Sequence, residues 1–377
     1  MKKVKILALH LAYGGVEKAI VNMANIFIEK YEVEIVSVYT APKGPAYVID
    51  PKVKITYLTD LYPNKAEFKA ALHSFNIVKT IKEGIKSIQI LKKKKDVTHS
   101  AIVEFRDCIV ISTRNEYSLE LSKYGDTSVY KIAQLHHDHS FNQQLIEDFT
   151  QGYKNIDVFA LLTPQLVEEV QQMLKGKEKP KCVYVPNFIE ELPSNIKMED
   201  KKDICIAVGR AHKVKGFERL IDIFYEVHKQ SPNTILQIIG DGEEIPNLEK
   251  KIKEYNLNDN VFLLGQRTSQ EIETYMKRAS IYLMTSYTEC LPFVLIEASS
   301  CKLVSVAYDV RVGPRAIIDH NVNGYLIKDG DQADYVSAVL TLLKNDHLRN
   351  ELAEQAYIKA QQFTKQNVKE LWFDILK

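Results

Sequence analysis

The sequence predicts an α/β protein made of two doubly wound parallel sheets in series, and three observations predict it. Strand-like runs alternate with helix-like runs from one end to the other, the pattern of parallel strands covered by helices. The alternation breaks once, at Glu190–Lys202, where Pro193, Ser194 and Asn195 sit in a charged cluster, and restarts at Asp203. The 377 residues suffice for two domains at roughly 100–200 residues each. Ligands of such sheets are expected beyond the carboxyl ends of the strands, and a cleft between the domains is the expected place for function.

In the first domain, strands are read at Val4–Leu9, Val33–Tyr39, Cys108–Thr113, Val129–Leu135, Val158–Leu162 and Cys182–Val185, with a periodic helix at Lys18–Lys30 between the first two. The second domain repeats the pattern with Ile204–Val208, Ile235–Ile239, Val261–Leu264, Ile281–Met284 and Leu303–Ala307, and a helix at Phe217–Val227. No short repeat or low-complexity segment occurs, so the duplication is one of architecture.

Composition narrows the function. Fifty Lys+Arg against 49 Asp+Glu leave a formal charge of +1, which does not point to nucleic acid as a partner. With 45% hydrophobic and 26% charged residues, disorder and collagen are excluded. The apolar runs are strand-sized, far below the ~20 residues that cross a bilayer. Met1-Lys2-Lys3 begins like a leader, but Lys5 and His10 interrupt the apolar stretch and Gly14-Gly15-Val16-Glu17 follows, so a first strand is expected instead. Five cysteines, with no C-x-x-C pair or Cys/His cluster, suit small core residues in a reducing cytoplasm and argue against structural zinc.

One segment departs from the neutral average. Lys65–Asp96 reads as a single helix with nine lysines against Glu67, Glu83 and Asp96, a local charge of +6. Phe68, Leu72, Phe75, Val78, Ile81, Ile85, Ile88 and Leu91 recur on it every three or four residues. Such a helix can lie on anionic lipid. A surface helix packed on its sheet, with solvated lysines, has the same pattern.

Four places can carry chemistry. Gly14-Gly15 follows the first strand, where backbone can approach a ligand at a helix N-terminus, as it can in any tight turn. Val208-Gly209-Arg210 ends a strand and is followed by Lys213, Lys215-Gly216 and a helix. Two cations and a helix start at a strand's carboxyl end suit a diphosphate and could neutralise a leaving group without a metal, although a solvated loop can hold the same residues. Gly240-Asp241-Gly242 is G-x-G without the rest of a dinucleotide fingerprint and reads as a turn. Thr288-Glu289-Cys290-Leu291-Pro292-Phe293-Val294-Leu295-Ile296-Glu297-Ala298 places two glutamates across a strand end, a loop and a helix start, with Pro292 in the helix's first turn. The amides near 291–293 then face the cleft, and one carboxylate can meet a sugar while the other meets a ribose. A surface Glu289 and a capping Glu297 would give the same spacing.

Gly14-Gly15-Val16-Glu17, Gly209-Arg210 with Lys215-Gly216, Gly240-Asp241-Gly242, the Glu289/Glu297 pair and Asn323-Gly324-Tyr325-Leu326-Ile327 together resemble, in order and spacing, the family 4 retaining glycosyltransferases. The resemblance implies the GT-B fold, two Rossmann-like doubly wound domains facing across a cleft. It divides the chain into an acceptor-binding domain over residues 1–195, a nucleotide-sugar-binding domain over 196–360, and a C-terminal helix over 361–377 that crosses back to the first domain. Within that last segment the helix is expected at Phe363–Leu376, with Trp372.

By the same resemblance Arg210 and Lys215 grip the donor diphosphate, and the Gly15 backbone faces it from the other domain. Glu297 holds the ribose hydroxyls, Glu289 touches the donor sugar near its reacting face, and the amides of Leu291 and Phe293 contact sugar hydroxyls or phosphate. The family usually has Gly where this chain has Cys290, which makes the backbone geometry there a point to check. A histidine after the strand Val129–Leu135 lies beside the donor sugar in the family, and His136 holds that position, with His139 second. No metal ligands are expected from His136-His137-Asp138-His139, since neighbours on one loop rarely close a tetrahedron. The family has an ordinary loop where Asp329-Gly330-Asp331 imitates a D-x-D motif.

Tyr308-Asp309-Val310-Arg311-Val312-Gly313-Pro314-Arg315 resembles the Y-D-V-x-Y-G-P segment of a branch that includes teichoic-acid glycosyltransferases, with Val312 in place of the aromatic. The expected reaction is therefore retaining transfer of a hexose or N-acetylhexosamine from a nucleoside diphosphate sugar, UDP-linked by the family's habit, with no metal or other cofactor. The acceptor is a hydroxyl of a bacterial surface glycan or its lipid-linked precursor. The enzyme is expected in the cytoplasm, with Lys65–Asp96 as the segment that could touch the inner face of the plasma membrane. The alternative is a catalytically silent GT-B subunit that binds glycan or supports a partner enzyme. An epimerase or a phosphorylase on the same architecture is a further rival.

Overall fold

The computed structural model describes residues 1–41 and 44–376. The chain forms two compact units, Met1–Leu161 with Val167–Tyr184 and Ile375–Lys377, and Leu162–Leu166 with Val185–Asp374.

The first unit is built on a seven-stranded sheet of β1 (Lys3–Ala8), β2 (Glu32–Tyr39), β3 (Lys54–Thr59), β4 (Cys108–Ser112), β5 (Tyr130–Leu135), β6 (Val158–Leu161) and β7 (Lys181–Tyr184), in the order β3-β2-β1-β4-β5-β6-β7. Every neighbouring pair is parallel. The β4 and β6 residues are buried without exception, which is why those runs are continuously apolar rather than alternating. β3 is the strand of this sheet that the sequence reading lacks. Its Lys-Ile-Thr-Tyr-Leu-Thr run is only half-buried at the sheet edge and has no continuous apolar stretch.

The second unit holds a six-stranded sheet of β8 (Ile204–Val208), β9 (Ile235–Ile239), β10 (Val261–Leu263), β11 (Ile281–Met284), β12 (Val304–Asp309) and β13 (Gly324–Lys328), ordered β10-β9-β8-β11-β12-β13 and parallel throughout. The helix Phe217–Gln230 buries Phe217, Leu220, Ile221, Phe224 and Val227 at helical spacing in the core of this unit, each worth about 1.5–3 kcal/mol of hydrophobic stabilisation.

Each sheet reverses its winding once, between β1 and β4 and between β8 and β11, and loops that leave such a point in opposite directions open a crevice. β8 and β11 are in register only at Ile281–Cys205 and Tyr282–Ile206. Beyond that the buried Tyr282 hydroxyl spans the gap, donating to the Val208 carbonyl at 3.2 Å. The two strands thus splay on their carboxyl side while staying tied.

The predicted single helix over Lys65–Asp96 is two helices, Lys65–His73 and Ile77–Glu104. Phe75 takes φ 51° between them, and the Asn76 side chain caps the second by accepting from the Lys79 amide. Asn is a strong helix starter, and its side-chain hydrogen bond competes with continuing the first helix. At the C-terminus, the helix Lys365–Ile375 buries Val368, Trp372 and Phe373. The Tyr31 hydroxyl donates to the Leu376 carbonyl within the first unit. All five cysteines are free and buried, as small core residues are.

Candidate active site

The crevice of the second unit is made by the loops after β8 and β11. The β8 loop lies on the β9 loop: the Gly209 amide donates to the Ile239 carbonyl and the Ala211 amide to the Asp241 carbonyl, both at 2.9 Å. Gly240 has φ 139°, and a Cβ there would stand 1.8 Å from the Gly209 carbonyl oxygen. The G-x-G of Gly240-Asp241-Gly242 is therefore more than a turn, because it lets the second loop support the backbone of Gly209-Arg210-Ala211.

Lys213–Lys215 form one 3-10 turn, capped by the His212 side chain accepting from the Val214 amide. Gly216 follows with φ 64°, and a Cβ there would meet the Thr285 carbonyl oxygen at 2.1 Å. That closeness lets the two loops tie together. Thr285 Oγ1 donates to the Gly216 carbonyl at 2.9 Å, and the Tyr287 amide donates to the Val214 carbonyl at 2.8 Å. Held this way, Lys215 Nζ donates to Glu289 Oε1 at 2.6 Å. The Glu289 side chain is 9% exposed and that of Lys215 28%.

After Glu289 the chain runs through buried Cys290 and Leu291 into the helix Phe293–Ser300. Cys290 does not take a positive φ, so a side chain is accommodated where the resembling family has Gly. Burial pushes its thiol up to about 12, which keeps it protonated and inert. Pro292 is the N-cap with ψ 118°, not a residue of the first turn, so the helix begins one residue later than the sequence reading has it. Asn187 Nδ2 donates to the Leu291 carbonyl at 2.7 Å, fixing the loop just before that helix. Glu297 lies one turn inside, half-buried. Arg210 is exposed on the β8 loop.

Among the eight predicted site residues, the structure joins Lys215 and Glu289 directly and sets Arg210, Leu291, Phe293 and Glu297 on the same two loops or the helix that follows. Gly15 and His136 belong to the first unit. Gly15 opens the helix Gly15–Phe27 after β1, and Tyr47 steadies the turn by donating to the Gly14 carbonyl at 3.2 Å. His136 follows β5 directly, buried, with Nε2 donating to Gln134 Oε1 at 2.9 Å. Burial, helped by the nearby His137 and Arg114, lowers its pKa to about 3, so the ring is neutral at pH 7 with Nδ1 as its acceptor. His139 is buried too. It accepts from the Phe141 amide at 3.1 Å within its own loop and donates at 2.8 Å to Glu169 of the helix Pro164–Met173.

The side chains of His136, Asp138 and His139 are thus turned to different partners, with Asp138 accepting from Ser140. Among the described residues no group of three or more His, Cys, Asp or Glu could hold a metal ion. Asp329 accepts from Arg219, and Asp331 caps the helix Gln332–Lys344.

Residues 188–359 match the family model of glycosyl transferases group 1. An uncharacterized glycosyltransferase of Haemophilus influenzae is 24% identical over 381 residues, covering the whole of both chains. An amylovoran biosynthesis glycosyltransferase, AmsD of Erwinia amylovora, is 34% identical over 47% of this chain and 48% of its own length. Among solved structures, S. aureus TarM, crystallised in a mutant form with Fondaparinux, alpha-GlcNAc-glycerol and UDP, superposes with TM-score 0.78 at 16% identity, covering all of both chains. The chain has the GT-B fold, and its residues 188–359 are related to the group 1 glycosyl transferases.

Two features of the second unit escape sequence reasoning. Arg219, one turn after Lys215-Gly216, donates to the Thr285 carbonyl at 2.5 Å, the Ser286 carbonyl at 2.6 Å and Asp329 at 2.8 Å. Its guanidinium carbon lies 3.9 Å from the Tyr287 ring centre and 4.3 Å from that of Tyr308. It therefore clamps the β11 loop that presents Glu289. The second feature is Gly313, whose Cβ, if present, would lie 3.1 Å from the Glu289 Cβ. The Tyr308–Arg315 segment, read as a mark of one branch, is in the structure the wall behind Glu289, braced by a two-pronged Arg315–Asp309 pair. A third cation on a helix face gives no signal in sequence, because exposed arginines are common there.

Proposed function

We propose that the chain transfers a hexosyl or N-acetylhexosaminyl group, with retention of configuration, from a UDP-sugar to a hydroxyl of a bacterial surface glycan or its lipid-linked precursor. The observation that carries this reading is the Lys215–Glu289 contact at the β8/β11 switch point, a cation and a carboxylate tied by 2.6 Å on loops that also hold Arg210 and the start of the Glu297 helix. TarM, of the same fold, was crystallised with UDP and a GlcNAc-glycerol, and AmsD serves amylovoran biosynthesis, which supports UDP and a surface glycan as donor carrier and acceptor class.

In this reading Arg210 and Lys215 hold the diphosphate and stabilise the negative charge that grows on it as the glycosidic bond breaks. The cations do this without a metal. Glu289 contacts the sugar, Glu297 the ribose hydroxyls, and the amides of Leu291 and Phe293 the sugar or phosphate oxygens at a helix N-terminus. The Gly15 backbone approaches the diphosphate and neutral His136 accepts from a sugar hydroxyl. The acceptor attacks on the leaving-group face through an oxocarbenium-like state, and the departing phosphate takes its proton. Residues 1–195 bind the acceptor, 196–360 the donor, and 361–377 return to the first domain. A lipid-linked acceptor would hold the enzyme at the inner face of the plasma membrane, with Lys65–Asp96 as the contact. Among the described residues no helix is long and apolar enough to cross a membrane.

A thermal-shift and donor-hydrolysis screen against UDP-glucose, UDP-N-acetylglucosamine, UDP-galactose, GDP-mannose and UDP tests the reading, because a ligand of the native state raises its melting temperature. One UDP-sugar should stabilise the protein and release UDP, and Lys215→Ala should abolish both. No response to any nucleotide would favour the silent-subunit alternative.

A further inference from the structure

The apolar stripe on the helix Ile77–Glu104 is turned to solvent. Phe75, Val78, Ile81, Ile85, Ile88 and Leu91 are between 53% and 93% exposed. At about 100° per residue, Val78, Ile81, Ile85 and Ile88 fall in one arc, and buried Ile90 and Ala101 fall opposite it. On that opposite side Glu83 accepts from Asn64, and Lys94 donates to Glu116. The helix is therefore fixed to its unit by one face and presents a second apolar face outward. A helix that merely covers a sheet buries its apolar stripe and solvates the rest, so packing on the sheet does not explain this one.

Exposed Lys79, Lys82, Lys86 and Lys93 line one border of the outer stripe. Lys65–Asp96 carries +6 in a chain of net charge +1, which leaves all other residues together at −5. An anionic surface would attract this segment and repel the remainder, setting the orientation as well as the attachment.

We propose that the exposed stripe of Ile77–Leu91, tipped by Phe75, lies in the interface of an anionic lipid bilayer with its lysine border among the headgroups. The stripe runs about 21 Å from Ile77 to Leu91 at the rise of a helix. It is a ridge one helix wide, which suits immersion between lipid headgroups. The charge complementarity of its border selects anionic lipid over a neutral partner. The inference deepens the membrane contact in the function proposed above and rests on that reading for its purpose, while its physics is that of the helix alone.

Vesicle sedimentation of the full chain tests it, using phosphatidylcholine alone and phosphatidylcholine with a quarter phosphatidylglycerol, at low and high salt. Binding to the anionic vesicles should exceed binding to the neutral ones at least about tenfold and weaken with salt. Ile81→Ser/Ile85→Ser/Ile88→Ser and Lys79→Gln/Lys82→Gln/Lys86→Gln should each lose at least about tenfold in binding. Both sets lie on the surface and should leave the melting temperature unchanged. Equal recovery on both vesicle types, no binding, or a dimer that the serine variant dissociates would overturn the proposal, the last by showing a second copy on this face. UDP binding measured on the same preparations keeps the readings apart. A wild type that binds UDP but no vesicle refutes the surface, and a wild type that binds vesicles but no UDP refutes the donor assignment.

Discussion

Lys215 Nζ lies 2.6 Å from Glu289 Oε1, joining residues 74 apart in sequence across the switch point of the second sheet. The ammonium has three donors, so it can keep the carboxylate and still take a phosphate oxygen. The carboxylate in turn fixes where the ammonium points, which is the preorganisation that a developing charge on a leaving group requires. Lys215 and Glu289 should therefore act as a unit. Lys215→Ala is expected to lower kcat/KM by roughly 10²–10³-fold. Glu289→Gln should lower it as well, and the double variant should lose much less than the product of the two. Steady-state kinetics on the four proteins measures this, and simple multiplication of the two effects would refute the coupling.

Arg219 should govern the loop without touching the donor. It satisfies two carbonyls of the β11 loop and stacks against two rings, and a guanidinium does both through one rigid plane. Arg219→Ala is expected to destabilise the protein by about 2–4 kcal/mol in urea unfolding. Arg219→Lys should recover less than half of that, since an ammonium cannot repeat the fork. Because the loop carries Glu289, kcat should fall more than UDP affinity. Equal falls would mean that Arg219 binds nucleotide itself.

Gly240 and Gly330 separate backbone strain from close approach. Both have positive φ, so alanine is strained at either. At Gly330 a Cβ meets nothing within 4 Å, whereas at Gly240 it would stand 1.8 Å from the Gly209 carbonyl oxygen. Gly330→Ala should cost about 1 kcal/mol. Gly240→Ala should cost at least about 2 kcal/mol more and weaken UDP binding, because the displaced backbone is that of Gly209-Arg210. Calorimetric melting together with UDP titration checks both, and equal losses would remove the supporting role of the β9 loop.

What the sequence reveals follows from what each element must bury. β8, β9 and β11 are read to the residue because central strands are apolar runs bounded by turns. β3 and β13 lie at sheet edges, where exposed positions dilute the run, and neither is read as a strand. The break at Phe75 is hidden because the apolar periodicity continues across it, and only the Asn76 cap marks it. Lys215 and Glu289 are legible as reactive types at strand ends. Their contact is not, since it depends on Gly216, Arg219 and Gly313 bringing three loops together, and a lone glycine or arginine carries no message about its distant partner.

His136 should make the protein acid-sensitive in a defined window. Its imidazole is neutral in the native state because burial strips the imidazolium of its hydration, with the charges of His137 and Arg114 adding to the effect, and its pKa falls from the ordinary 6.5 to about 3. Between those values the unfolded chain binds a proton that the native protein does not, so falling pH favours unfolding. The loss begins as pH drops below about 6.5 and continues toward about 3. At a pH one and a half units below the ordinary histidine value it should reach about 2 kcal/mol. His136→Gln removes the titrating group while leaving a side chain that can still hydrogen-bond to Gln134. Urea unfolding at neutral pH and near pH 5 should show the wild type losing about 2 kcal/mol more than the variant. Identical acid losses would mean that His136 is solvated enough to titrate normally. It would then be charged over part of the physiological range, and it could not serve as the neutral acceptor that the proposed sugar contact requires.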